Sequence, residues 1–246
     1  MGGKLNLRQK LNIAPECGFT SSPTMWGQRI VIRALLTLAC AFMFPFSAAA
    51  AAGKAQRIMV YGDSLSAAYG FDPKNGWVSL LQTKLQPEGV TVINSSISGE
   101  TTRGGLSRIK TDLARIKPDV VVLALGANDG LRGLPVADTK KNLQLIVNSI
   151  QSANAKVVLI GIQIPPNYGI DYSQQFRELY FDLAASNHVS PPPFLLEGIA
   201  DKLELFQADR LHPNAKAQAA ILENVLPVIR KSLSKPRHAA KVPAKP

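Results

Sequence analysis

The chain has 246 residues, 46% of them apolar and 18% charged, which excludes a disordered or low-complexity protein and leaves room for one domain of ordinary size plus tails. Its formal charge of +11 does not mark a nucleic-acid-binding domain, because the excess sits at the two ends. Residues 1–52 hold five Lys/Arg and one acid, residues 230–246 hold six and none, and residues 53–229 hold 17 against 16.

The N-terminal end is expected to be a leader. From Met25, Arg29 and Arg33 precede the 13-residue apolar stretch Ala34–Phe46, and small residues run from Ser47 to Gly53. That is the order of a charged segment, an apolar segment and a small-residue cleavage site. The apolar stretch is short for a membrane span; a retained N-terminal anchor is the other reading. Met25 is the expected start, with residues 1–24 untranslated. Cys40 lacks the apolar residue three places back that lipidation asks for, because Thr37 stands there. The expected organisation is thus a leader through residue 52, a domain over 53–232 and a basic tail over 233–246, with export to the periplasm or exterior. Both cysteines, Cys17 and Cys40, precede the domain, which then has no disulfide and no thiolate nucleophile.

Strand and helix alternate along the domain. Arg57–Tyr61 reads as a strand, Trp77–Leu85 as a helix and Val90–Asn94 as a strand ending in the small-residue loop Ser95–Glu100. Thr101–Ile116 carries Leu106, Ile109, Leu113 and Ile116 at helical spacing. Asp119–Leu125 is a continuous apolar run, which suggests a strand buried on both faces. A helix over Asp138–Ala153, a strand over Lys156–Ile162 and a helix over Ser173–Ala185 follow. A short strand at Pro193–Leu196 and a last helix over Pro213–Lys231 complete the series. This pattern predicts an α/β fold, a single-domain α/β/α sandwich around a central parallel sheet. Sites in such sheets lie beyond the carboxyl ends of the strands.

Ser64 stands just past the first strand, where a site is expected. A serine hydroxyl needs a base within hydrogen-bond reach to act as a nucleophile. Three histidines are available: His188 between a helix and a proline cluster, His238 in the basic tail, and His212 in Asp209-Arg-Leu-His-Pro-Asn214. Pro213 biases His212 out of the α region, and Asp209, three residues earlier, can reach one imidazole nitrogen within a single turn. Alone, this segment also reads as a capped helix start. Acyl transfer needs donors aimed at the developing oxyanion. Gly99 follows the second strand, where a residue without a side chain lets a backbone N–H approach a substrate; Asn128 follows the third, and its amide can donate. Each also reads as an ordinary turn residue. Their joint occurrence after three strands and before the last helix favours a site.

These residues resemble the sequence blocks of the SGNH, or GDSL, hydrolase superfamily: Gly62-Asp-Ser-Leu65, Gly99, Asn128 in Gly-Ala-Asn-Asp129, and Asp209 with His212. Within it the chain resembles the bacterial periplasmic thioesterase, arylesterase and lysophospholipase group. Further matches lie at Ser64–Tyr69, Ser96–Thr102, Gly126–Gly133 and Pro165–Gly169, so the likeness covers roughly residues 57–230. The resemblance implies a flavodoxin-like fold with Ser64 as nucleophile, His212 as base and Asp209 orienting it. The N–H groups of Ser64 and Gly99 and the Asn128 side chain would form the oxyanion hole. Asp63 then belongs to the turn and is not the triad acid. The loop after the fourth strand is expected to line the acyl groove, through Ile164, Pro165 and Tyr168. One departure stands at Ala127, where glycine is usual, and is expected to touch the loop more than the chemistry. A Gly-x-Ser-x-Gly elbow is absent, since Ser66 holds its last place.

The implied activity is that of an exported serine esterase acting on acyl esters, and on acyl thioesters or lysophospholipids, through an acyl-enzyme, with no metal and no cofactor. The expected partner is a small-molecule substrate, with no nucleic acid, no obligate protein partner and at most a weak membrane-surface contact through the tail. The alternatives are a carbohydrate acetylesterase, built from the same blocks, and a non-catalytic acyl- or lipid-binding protein on the same scaffold. Nucleotide binding at the Gly62 turn lacks the glycine and lysine patterns that it needs.

Overall fold

The computed structural model of the protein describes residues 55–233. The expected leader with its two cysteines and the tail beyond residue 233, including His238, lie outside the described residues. Four short strands make the centre: β1 (Gln56–Gly62), β2 (Val90–Asn94), β3 (Val120–Ala124) and β4 (Lys156–Leu159). All pair in parallel, in the spatial order β2-β1-β3-β4.

This order follows from the chain's path. From β1 the chain steps one way to β2, then crosses back over β1 to β3 and on to β4. Crossovers are right-handed, so reversing the direction of travel moves the connecting helices to the opposite face. The helices are α1 (Trp77–Leu85), α2 (Thr102–Ile116), α3 (Ala127–Leu131), α4 (Val136–Ser152), α5 (Ile170–Ser186) and α6 (Gln218–Ser232). Helix α1 packs against α6, while α2 packs on α4 and α4 on α5. Between the layers, all five residues of β3 and residues 58–62 of β1 are buried, as a strand run of valine and leucine requires. The structure is the expected α/β/α arrangement.

The helix ends are set by local chemistry. The Thr101 hydroxyl accepts the Gly104 N–H at 3.2 Å, so Thr101 caps α2 rather than opening it. The last helix begins later than its sequence suggests. Pro213 sits in an antiparallel bridge with Phe206, and Asn214 caps the 3-10 turn Ala215–Ala217 that leads into α6. The expected strand at Pro193–Leu196 is reduced to one parallel bridge, Gly161 with Phe194. Three consecutive prolines, Pro191 to Pro193, have no N–H to offer a ladder. The short helix α3 carries no periodic signal in the sequence.

Two buried tyrosines satisfy backbone carbonyls inside the core. Tyr61 donates to the Gly105 carbonyl at 2.7 Å, and Tyr180 to the Leu125 carbonyl at 2.9 Å. Gly126 next to it has φ +123°, and a Cβ there would collide with the Tyr180 hydroxyl. No described helix is long and apolar enough to cross a membrane. Tyr180→Phe leaves the Leu125 carbonyl unpartnered, an effect of about 1–3 kcal/mol. Urea unfolding of this variant is expected to show a lower midpoint with an unchanged slope.

Candidate active site

The strands β1 and β3 lie side by side, and the chain leaves their carboxyl ends in different directions, so a crevice opens between the loops that follow them. Ser64 lies at that crevice. The Asp63 carbonyl accepts the N–H groups of Ser66 (3.1 Å) and Ala67 (3.0 Å), which closes the turn around the serine. The buried Trp77 indole donates to the Leu65 carbonyl at 3.2 Å and anchors the turn to α1.

His212 arrives from the far end of the sequence. Its Nε2 lies 2.9 Å from the Ser64 Oγ, and its Nδ1 lies 2.7 Å from the Asp209 Oδ2. The other oxygen of Asp209 accepts the backbone N–H groups of Leu211 (2.9 Å) and His212 (3.0 Å). The structure thus brings the three expected residues into one relay. The His212 and Leu211 N–H groups and the imidazole hold the Asp209 carboxyl down at about 2, against a small opposing loss of hydration. Asp209 stays ionised at any pH above that, so the bond orienting the ring persists across the neutral range. The loop is clamped from behind. Gln207 donates its backbone N–H to the His212 carbonyl (2.8 Å) and its side-chain amide to the carbonyls of Tyr69 (2.7 Å) and Pro213 (3.2 Å). The Tyr69 ring lies against the His212 ring, with centroids 4.5 Å apart and planes tilted by 40°, a contact no sequence spacing announces. His188 lies elsewhere, past the end of α5 and beside Lys156 at the amino end of β4.

Gly99 has φ +78°, and a Cβ there would meet nothing within 4 Å. Its backbone conformation, and not crowding, is what asks for glycine. Asn128, half-buried in α3, donates one amide N–H to the Glu100 carbonyl at 3.0 Å, so it bridges two loops instead of forming a local turn. Its other amide N–H and the backbone N–H groups of Ser64 and Gly99 have no acceptor among the described residues. Asp129, missed in the sequence, is buried; its oxygens accept the Thr102 N–H (2.8 Å) and hydroxyl (2.5 Å). That pair and the Asn128–Glu100 bond fix the Gly99 loop against the Asn128 helix.

Asp63, beside the serine, has no exposed surface. One of its oxygens accepts the Leu65 N–H at 3.1 Å, and the other has no partner among the described residues. Burial pushes its carboxyl up to about 7; the Leu65 N–H opposes the rise and the nearby Asp129 charge adds to it.

An apolar cavity of about 300 Å³ opens beside the relay. Ile164 and Pro165 line it, as expected, with Leu65, Ala127, Phe194 and Leu196 among the others. Tyr168 is not part of that wall; it ends a 3-10 turn (Pro166–Tyr168) and is 40% exposed. Several lining residues are chain neighbours of the relay and of Asn128, so position beside a motif was a usable signal. Phe194, Leu196, Ala200 and Phe206 come from irregular segments that carry no such mark.

The pattern of the GDSL-like Lipase/Acylhydrolase family matches residues 60–220. The chain belongs to that family. Esterase TesA of Pseudomonas aeruginosa is 44% identical over 201 residues, covering 81% of this chain and 98% of the relative. Thioesterase 1/protease 1/lysophospholipase L1 of Escherichia coli K12 is 38% identical over 172 residues, 70% of this chain and 82% of that protein. Among solved structures, the psychrotrophic esterase EstA from Pseudoalteromonas sp., inhibited by monoethylphosphonate, is 43% identical with a TM-score of 0.69, covering 72% of this chain and 97% of that one. The resemblance read from the sequence blocks is therefore correct, and the family's class, a carboxylic ester hydrolase, is the class expected.

The Asp63 carboxyl gives a test of the site's electrostatics. Its folded pKa lies above its unfolded value near 3.8, so the folded state holds more protons and stability falls as pH rises from about 4 to about 7. Asp63→Asn removes that dependence. Thermal unfolding is expected to show the variant gaining on the wild type between pH 5 and pH 8, with no such gain for Asp171→Asn on the surface of α5.

Proposed function

We propose that the chain is an exported serine esterase that hydrolyses acyl esters, and acyl thioesters or lysophospholipids, through an acyl-enzyme on Ser64. The observation that carries this reading is the Ser64–His212–Asp209 relay beside the apolar cavity. His212 Nε2 takes the hydroxyl proton as Ser64 Oγ attacks the substrate carbonyl. Asp209 keeps Nδ1–H donating and stabilises the imidazolium that forms. Negative charge grows on the carbonyl oxygen, and the N–H groups of Ser64 and Gly99 with the free amide N–H of Asn128 receive it. Collapse expels the alcohol or thiol, which takes the proton from His212. Water, deprotonated by the same nitrogen, then releases the acid. The acyl chain occupies the cavity lined by Ile164 and Pro165. Its apolar wall favours a chain longer than acetyl and speaks against acetylated sugars. The names of the relatives, an esterase and a thioesterase/lysophospholipase, agree with this substrate range. Export is read from the leader sequence after Met25.

The test is labelling with a fluorophosphonate, read by intact mass and peptide mapping. A single adduct on Ser64, lost in Ser64→Ala and His212→Ala while circular dichroism is unchanged, supports the reading; a folded wild type that takes no label removes it. Asp209→Asn is expected to lower kcat by roughly 10³–10⁴-fold, and Asn128→Ala by about 10²–10³-fold, both measured on p-nitrophenyl esters. Against those esters, kcat/KM is expected to be higher for octanoate than for acetate.

A further inference from the structure

Among the described residues, five that are not glycine adopt positive φ, and one of them, Ala68, lies in the turn after Ser64. Lys117, Asn154 and His188 follow α2, α4 and α5, where a left-handed residue ends a helix and its N–H bonds back into the last turn. Arg210, at φ +56°, ends no helix. It stands between Asp209 and His212, in the loop that carries the base. Glycine would hold this conformation without strain, and arginine does not. A strained residue at such a place directs attention to its side chain.

Arg210 is among the residues that line the apolar cavity, and it is the sole charged one. Arg210 is exposed and joins none of the ion pairs among the described residues. The adjacent acid, Asp209, has both oxygens engaged by the Leu211 and His212 N–H groups and the imidazole. An exposed arginine on the lining of a cavity, in no ion pair among the described residues, is a ready partner for a ligand anion.

The cavity's remaining lining locates that anion. Apart from Gln163 it is apolar, so a charge on the acyl chain would be buried there unpaired, at high cost. The anion must therefore ride on the alcohol or thiol side, which stays outside. His212 Nε2 delivers a proton to the leaving oxygen or sulfur, so the leaving group rests against His212, two residues from Arg210. Phosphate oxygens match the planar fork of a guanidinium, and phosphate is the anion that the leaving group of a lysophospholipid carries. We infer that Arg210 binds a phosphate carried by the leaving group of the substrate, which makes phosphate-bearing acyl esters or thioesters the preferred class. This rests on the reading of Ser64 as the nucleophile. The phosphate has two sources, the glycerophosphate of a lysophospholipid and the phosphates of coenzyme A.

Two matched pairs at monomeric concentrations test it. Octanoyl-glycerol-3-phosphate is compared with octanoylglycerol, and octanoyl-coenzyme A with the octanoyl thioester of N-acetylcysteamine, using the wild type, Arg210→Gln and Arg210→Gly. In at least one pair, the ratio of kcat/KM for the phosphate-bearing to the neutral substrate is expected to fall on the order of tenfold in both variants, mainly through KM. The pair that responds identifies the source. Arg210→Gly removes the strain, so its thermal midpoint is expected to equal or exceed that of the wild type; misfolding therefore does not account for the loss. A ratio unchanged in both pairs overturns the inference. If the wild type cleaves none of the four but Ser64 still takes fluorophosphonate, the substrate class is wrong and the nucleophile stands. Without an adduct the parent reading falls too.

Discussion

One carboxylate organises the end of the chain. Asp209 accepts three N–H groups within four residues: two from the backbone, which fold the loop, and one from the imidazole, which aims the ring. The same hydrogen-bonding oxygens thus decide both where His212 is and which nitrogen faces Ser64. Because both functions use the ionised form, the loop and the ring orientation persist together over the pH range in which the carboxyl is charged. Gln207 then ties this unit to the Tyr69 segment beyond the serine, so the Ser64 turn and the His212 loop share a clamp.

The sheet supplies the remaining geometry. Reversal of strand order between β1 and β3 opens the crevice, and the loops after β1, β2 and β3 meet there. Parallel strands alone would leave those loops independent. The Asn94 amide, donating to the Ser66 carbonyl, joins the first two, and Asn128 to the Glu100 carbonyl and Asp129 to Thr102 join the second and third. Donors meant for a transient oxyanion must be fixed before the charge appears. Here short loops are held by buried hydrogen bonds, with α2 capped by Thr101 at the root of the Gly99 loop.

Much of this was legible in the sequence, for definite reasons. The β3 run of valines and leucines could be buried only between two helical layers, and the spacing of Ile109, Leu113 and Ile116 fixed the inward face of α2. Asp209 and His212 are close in sequence, so a single turn sufficed to predict their bond. Other features depend on tertiary contacts. The start of α6 moved because Pro213 pairs with Phe206, and the strand proposed at Pro193–Leu196 shrank to the single bridge of Phe194 with Gly161 behind a run of three prolines. Gly99 was singled out as allowing a close approach, whereas its constraint is a backbone angle. Tyr168 was expected beside Ile164 and Pro165, yet the turn after Pro165 carries it away from the cavity. The contact of Tyr69 with His212 and the strain at Arg210 belong to a fold that no local pattern describes.

The bond between Ser64 and His212 joins positions 148 residues apart. His212 is followed by α6, whose Ile221, Val225 and Ile229 complete the core beneath α1. Three of the four strands, β2 to β4, lie within the loop of chain that this bond closes. Loop-closure entropy puts such a distant pairing late in folding, so the two side chains meet only once the strands between them have been gathered into the sheet.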